Sequence, residues 1–165
     1  EQCWEDIKDL PMLKFLSSHC GVKDRAEMES VFLRTNGGEL AEKSVPFFSM
    51  NPMCGIWEGA TVTYVAMQLA FWMGFQKVIL VGVDHSFSTK GEPHKLVVLE
   101  GDDPDHFNAE YFGNGFTWQL PDLETSELAY AMADYAYHSR GREIVDCTVG
   151  GKCPVFRKGV LRDEI

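Results

Sequence analysis

Two stretches of the chain carry a helical period of apolar residues, and each is followed by a glycine and a short run of strand formers. In the first, Val62, Val65, Ala66, Leu69, Ala70 and Met73 fall at i, i+3, i+4, i+7, i+8 and i+11. This spacing predicts a helix that opens at Gly59, carries one apolar stripe and is closed by Gly74. Lys77–Asp84 (KVILVGVD) follows, and its consecutive apolar residues predict a strand buried on both faces, as in a parallel sheet. In the second stretch, Asp122–Arg140 predicts a helix with Leu128, Ala131, Met132 and Tyr135 on one face. Gly141 closes it, and Arg142–Cys147 (REIVDC) predicts a strand. Helix, glycine and strand occurring twice in that order predict an α/β domain with right-handed crossovers and a mostly parallel sheet.

The remaining pattern is weaker. Trp4, Ile7 and Lys8, followed by Pro11, predict the tail of an amphipathic helix over residues 1–10. Leu13–Leu16 and Val31–Leu33 predict short strands, Asn36-Gly37-Gly38 a turn, and Val45–Met50 an edge strand opened by Pro46. From residue 86 to 120 no period is sustained, yet this stretch holds Phe87, Phe107, Tyr111, Phe112, Phe116 and Trp118. So many aromatics argue against disorder, so the segment reads as a lid or binding insert within one domain spanning residues 1–165. Phe107, Tyr111 and Phe112 are expected to fold back over the sheet edge and carry His106 toward Asp84. A second copy of the chain is an alternative cover for those rings, as a homo-oligomer.

Charge narrows the partners. With 15 Lys and Arg against 25 Asp and Glu, the formal net charge is −10. A surface this acidic repels nucleic acid and anionic membranes, while a local pocket for one anionic ligand stays open. The longest apolar stretches, Lys77–Val83 and Val65–Phe75, are too short to span a bilayer. The five cysteines include no CxxC pair, which predicts free thiols and a cytoplasmic setting. The chain opens on Glu1 with no basic-then-apolar leader, which reads as an N-terminally trimmed chain.

In open α/β sheets, ligands bind outside the carboxyl ends of the strands. One such place is the turn Glu58-Gly59-Ala60-Thr61-Val62-Thr63, where small residues, a helix N-terminus and two hydroxyls suit a phosphate. The same residues also read as a plain N-cap. The other is Asp84-His85 at the end of the KVILVGVD strand. It can orient a ribose hydroxyl or hold a metal, or Asp84 can simply cap a turn through Ser86. Asp102, Asp103 and Asp105 form an acidic loop that fails the calcium-loop template, and His85, His94 and His106 match no zinc spacing, so no metal ligands are assigned. His106, beside Phe107 and Tyr111-Phe112, is a candidate general base or a surface histidine. Gly150-Gly151-Lys152 reads as a turn and not a phosphate loop, and Arg157 and Lys158 either complete an anion pocket or are surface charge.

Gly59–Phe87 (GATVTYVAMQLAFWMGFQKVILVGVDHSF), with His106-Phe107, Tyr111-Phe112-Gly113 and Thr148-Val149-Gly150-Gly151-Lys152, closely resembles the Maf-like/MptE-like Rossmann family. That family includes flagellin glycosyltransferase-like proteins and 6-hydroxymethylpterin pyrophosphokinases, and its core is similar to the small bacterial CMP-sialic-acid sialyltransferases. The resemblance covers about two-thirds of the chain, from Val45 onward. It implies a three-layer Rossmann-like domain that transfers a sugar from a nucleotide donor, a CMP-sugar, to a glycan or protein acceptor. It further implies that Gly59, Ala60, Thr61 and Thr63 sit at the nucleotide phosphates and Asp84 and His85 at the floor of the donor pocket. His106 would act as base, or His85 if His106 points away from Asp84, and Tyr111 would steady the departing phosphate. No cofactor is implied by sugar transfer. The family's alternative, pyrophosphoryl transfer to a pterin, would need Mg²⁺ on Asp84 and the Asp102–Asp105 carboxylates. A non-catalytic binding remnant is a third reading, because the Gly-Asn-Gly-Pro-Ser-Leu turn that usually opens the family is missing and half the nucleotide site would go with it.

Overall fold

The computed structural model describes residues 4–21, 29–36, 47–86, 91–98 and 117–165. Along them run α1 (Trp4–Ile7), β1 (Lys14–Ser17), β2 (Ser30–Leu33), β3 (Thr35–Asn36), β4 (Ile56–Trp57), α2 (Val62–Trp72), β5 (Lys77–Leu80), β6 (Leu96–Val98), β7 (Thr117–Gln119), α3 (Leu123–His138), β8 (Glu143–Asp146), β9 (Arg157–Lys158) and α4 (Leu161–Glu164). β1 pairs in parallel with β2, β3 with β4, and β5 with β8, which also takes β9 in parallel. Among the described residues only β6 and β7 pair antiparallel. The chain is therefore α/β, with mostly parallel strands in several small sheets. Parallel neighbours need a crossover, and α3 lies in the connection from β5 to β8.

The helices begin and end where their caps dictate. The Thr61 hydroxyl accepts from the Thr63 N–H at 3.3 Å, and its carbonyl accepts from Tyr64 N–H at 3.2 Å. Asp122 does the same for α3, accepting from Thr125 N–H at 2.9 Å. Gly74 (φ 92°) and Gly141 (φ 67°) take the left-handed conformation that stops each helix.

The buried faces differ from the predicted ones. Val62 is 81% exposed and Met73 is 48% exposed. α2 instead turns Tyr64, Met67 and Phe71 toward Ala129, Tyr130, Ala133 and Tyr137 of α3, with Leu80, Ile144 and Phe156 in the same core. Val65 and Leu69 pack the other way, against Phe15, Leu33 and Ile56. On α3, Leu128 and Tyr135 are exposed, 44% and 73%, and nothing among the described residues explains why. The alanines of α3 let the helices approach, and the Tyr137 hydroxyl finds a partner inside the core by donating to the Met67 carbonyl at 2.8 Å. A count of apolar side chains favours Leu128 and Met132 over Ala129 and Tyr130, so it picks the wrong face. Arg142 closes the far end of α2. It donates to the Phe71 carbonyl at 2.7 Å and stacks 4.4 Å over the Phe71 ring.

Gln68 is fully buried in the middle of α2. Its Oε1 accepts from Ser49 N–H (3.0 Å) and Trp57 N–H (3.2 Å), and its Nε2 donates to the carbonyls of Trp57 (2.8 Å) and Tyr64 (3.1 Å). This amide explains why the described part of Val45–Met50 is not a strand. Ser49 N–H goes to Gln68, the Ser49 hydroxyl goes to the Gly55 carbonyl, and Phe48 wedges among Tyr64, Phe71 and Tyr137. Residues 45 and 46 lie outside the described residues. β5 is also shorter and less covered than predicted. It ends at Leu80, only Leu80 is buried, and Val81 is 60% exposed. Among the described strands β5 pairs with β8 alone.

The stretch 86–120 contains a ribbon that periodicity misses. Three-residue β6 and β7 pair from Leu96↔Gln119 to Val98↔Thr117, too short to display a period. His106, Tyr111, Phe107, Phe112 and the Asp102–Asp105 group all lie outside the described residues.

A charged clamp fastens the C-terminus to the sheet. Arg157 grips Glu164 with both nitrogens at 2.7 and 3.2 Å and reaches Glu143 at 3.1 Å. Lys77 adds ion pairs to Glu164 at 2.9 Å and Glu143 at 3.3 Å. Hydrogen bonds from Arg157 and then Lys77 pull the Glu164 carboxyl down to about 2 from 4.5. A folded-state value below the unfolded one stabilises above pH 4.5, and that contribution disappears as pH falls through about 2. Glu164→Gln should therefore lower the melting temperature at neutral pH, with the gap to the parent closing between pH 4.5 and 2. A gap that stays constant on acidification would show that the clamp does not act through this charge.

Candidate functional site

The loops after β5 and β8 are stitched together, and this builds the floor of a cleft. Val83 N–H donates to the Thr148 hydroxyl at 3.0 Å, and Lys152 N–H donates to the Asp84 carbonyl at 2.7 Å. Gly151 is required here, because a Cβ would stand 2.9 Å from the Thr148 side chain and 3.3 Å from the Val83 carbonyl. Asp146 anchors the loop from below. Its carboxylate accepts from Thr148 N–H at 2.9 Å and pairs with the Lys158 ammonium. Burial opposes ionisation of Asp146, but Lys158 and Thr148 outweigh it and hold the carboxyl below its ordinary range.

Above this floor, the N-terminus of α2 meets the end of β5. Ala60, Thr61, Thr63, Asp84 and His85 line one cavity of about 220 Å³, closed by Ser126 and Tyr130 of α3. The two places expected to bind ligand are thus one place. Gly59 is the exception. It lines a second, larger cavity of about 830 Å³ that shares Ala60, Thr61 and Pro121 with the first. Its own constraint is packing, since a Cβ would lie 2.4 Å from the Tyr64 ring and 2.7 Å from Ala129.

Two of the three described non-glycine residues with positive φ line this cleft, the third being His94. Ala60 (φ 58°) and His85 (φ 53°) both adopt the left-handed conformation without being glycine, at a cost of roughly 1–2 kcal/mol for a residue such as alanine. Both residues line the small cavity, and such strain concentrates at functional sites.

His85 is held in place. Its side chain is 6% exposed, and its ring packs 5.9 Å from the Tyr130 ring. Nε2–H donates to Glu127 Oε1 at 3.0 Å, since an ionised carboxylate can only accept. That leaves Nδ1 as the ring's proton acceptor. Opposite, the Tyr130 hydroxyl shares the cavity lining with Thr61 and Thr63, and their side chains favour its ionised form. Burial raises the Tyr130 hydroxyl above its ordinary value despite those two threonines, so it stays a proton donor. Three hydroxyls, a positioned imidazole and a carboxylate therefore converge on one small cavity. Such a set can donate hydrogen bonds to an oxyanion and accept one proton.

Glu127, Ser126 and Tyr130 were not foreseen as site residues. The spacing of Ser126 and Tyr130 at i and i+4 was the available signal, hidden because neither is strongly apolar. Arg157 and Lys158 do not complete an anion pocket, for both are taken up by carboxylates. His94 sits apart at the start of α3, with Nε2 3.2 Å from Asp122. Among the described residues no group of three or more His, Cys, Asp or Glu could hold a metal ion. Asp84 is the one carboxylate among the described residues lining the small cavity, so Mg²⁺ there would need further ligands. His106 and Tyr111 lie outside the described residues. No helix among the described residues is long and apolar enough to cross a membrane.

No family model, curated protein or solved structure matches this chain.

Proposed function

We propose that the chain is a three-layer Rossmann-like domain of a glycosyltransferase that moves a sugar from a nucleotide donor, a CMP-sugar, to a hydroxyl of a glycan or protein acceptor. The observation that carries this reading is the convergence of Thr61, Thr63 and Tyr130 with Asp84 and His85 around one small cavity at the carboxyl end of β5. Position supports it, because ligands of open α/β sheets lie there. Chemistry supports it as well. Sugar transfer breaks the bond between the anomeric carbon and a phosphate oxygen, which leaves with the electron pair. The hydroxyls of Thr61, Thr63 and Tyr130 would donate to that oxygen's phosphate. The acceptor oxygen forms the new bond to the anomeric carbon, and its proton goes to a base. His85, oriented by Glu127, is the base that the described cleft supplies. His106, the base that the resemblance implies, and Tyr111, its phosphate ligand, keep those proposed roles on the resemblance alone. The free thiols Cys54, Cys147 and Cys153 support a reducing, cytoplasmic setting.

Calorimetric titration tests this directly. CMP should bind, and chelator should not change its affinity. Binding of ATP only, and only with Mg²⁺, would replace sugar transfer with pyrophosphoryl transfer. Binding of neither nucleotide would leave a non-catalytic remnant.

A further inference from the structure

The larger cavity lies beside the small one and carries more apolar and aromatic lining. Four parallel strands end at it: Ser17, Leu33, Asn36 and Trp57 are the last residues of β1 to β4, and all four line it. Its volume of about 830 Å³ lies within the range of small-molecule sites. Among the described lining residues there is no Lys or Arg, while Glu58 contributes an exposed carboxylate. Asp122 is already engaged with Thr125 and His94. An exposed carboxylate with no Lys or Arg beside it favours a neutral ligand here.

We propose that this cavity binds a neutral saccharide. A pyranose has an apolar face of C–H groups and a rim of hydroxyls. Trp57, whose ring also packs 5.3 Å from Phe47, and Phe15 line the cavity and carry the flat rings that such a face needs. The amides of Asn36 and Gln119 donate and accept, and the carboxylate of Glu58 accepts, as a hydroxyl rim requires. The cavity's volume leaves room for more than one sugar unit. The two cavities share Ala60, Thr61 and Pro121, so a sugar seated in the larger one lies beside the proposed phosphate site. As the acceptor side of the transfer, this site rests on the function proposed above. As a saccharide site it does not.

The test is a nuclear magnetic resonance titration of the whole chain with maltose, cellobiose and diacetylchitobiose, and separately with CMP. At least one disaccharide should shift the Trp57 indole and the Asn36 and Gln119 side-chain amides, with an affinity that is unchanged by added salt. Trp57→Leu should weaken that binding by about tenfold. Should Trp57→Leu fail to fold, Gln119→Ala on the exposed face of the ribbon should weaken it instead. No shift with any of the three sugars overturns the proposal, as does CMP saturating these same signals. Sugar binding without CMP binding would keep this site and sink the nucleotide reading. CMP binding at Thr61 and His85 without sugar binding would do the reverse.

Discussion

Gln68→Leu is expected to destabilise the protein by about 3 kcal/mol, although leucine matches its volume and suits both a helix and a core. The substitution would strip partners from Ser49 N–H, Trp57 N–H and the Trp57 carbonyl, all beside a fully buried side chain. Leaving a buried polar group unpaired costs about 1–3 kcal/mol, and the gain from a more apolar side chain offsets only part of that sum. Urea denaturation followed by circular dichroism would measure it. A loss under about 1 kcal/mol would mean that the 47–49 segment and β4 do not depend on the amide.

The second large effect concerns the cleft. Ala60→Asp should weaken CMP binding by about 10- to 100-fold while leaving the melting temperature nearly unchanged. Aspartate tolerates the left-handed conformation that Ala60 already adopts, and the residue is exposed, so the fold has little reason to suffer. The added carboxylate would face the phosphate across a small cavity. A variant that loses stability but keeps its CMP affinity would make the turn a helix cap and nothing more.

The helices were legible because their ends are written in local chemistry. Thr61, Asp122, Gly74 and Gly141 act on their own turns, so short sequence distances suffice to read them. The faces were not legible. The fold buries tyrosines between α2 and α3 and a glutamine against the 49 and 57 backbone, with partners that include groups distant in sequence, such as Met67 for Tyr137 and Ser49 for Gln68. A hydropathy period cannot register those bonds. It rewards Val62 and Leu128, which the fold leaves exposed. The site was half legible for a related reason. Thr61, Thr63, Asp84 and His85 sit at ends of elements, where sequence rules assign ligand contacts, and the fold brings them together. Glu127 and Tyr130 lie within α3, and their roles depend on how that helix packs over the β5 end. Arg157 and Lys158 looked available for an anion because their carboxylate partners include Asp146, 12 positions away from Lys158, and Glu164 on the following helix.

A crystal structure of the chain with CMP tests the central claim most directly. The account predicts the phosphate in the small cavity, its oxygens within hydrogen-bond distance of the Thr61, Thr63 or Tyr130 hydroxyls, and His85 still held by Glu127. CMP ordered elsewhere on the protein, or a small cavity left without CMP at saturating concentration, would contradict it.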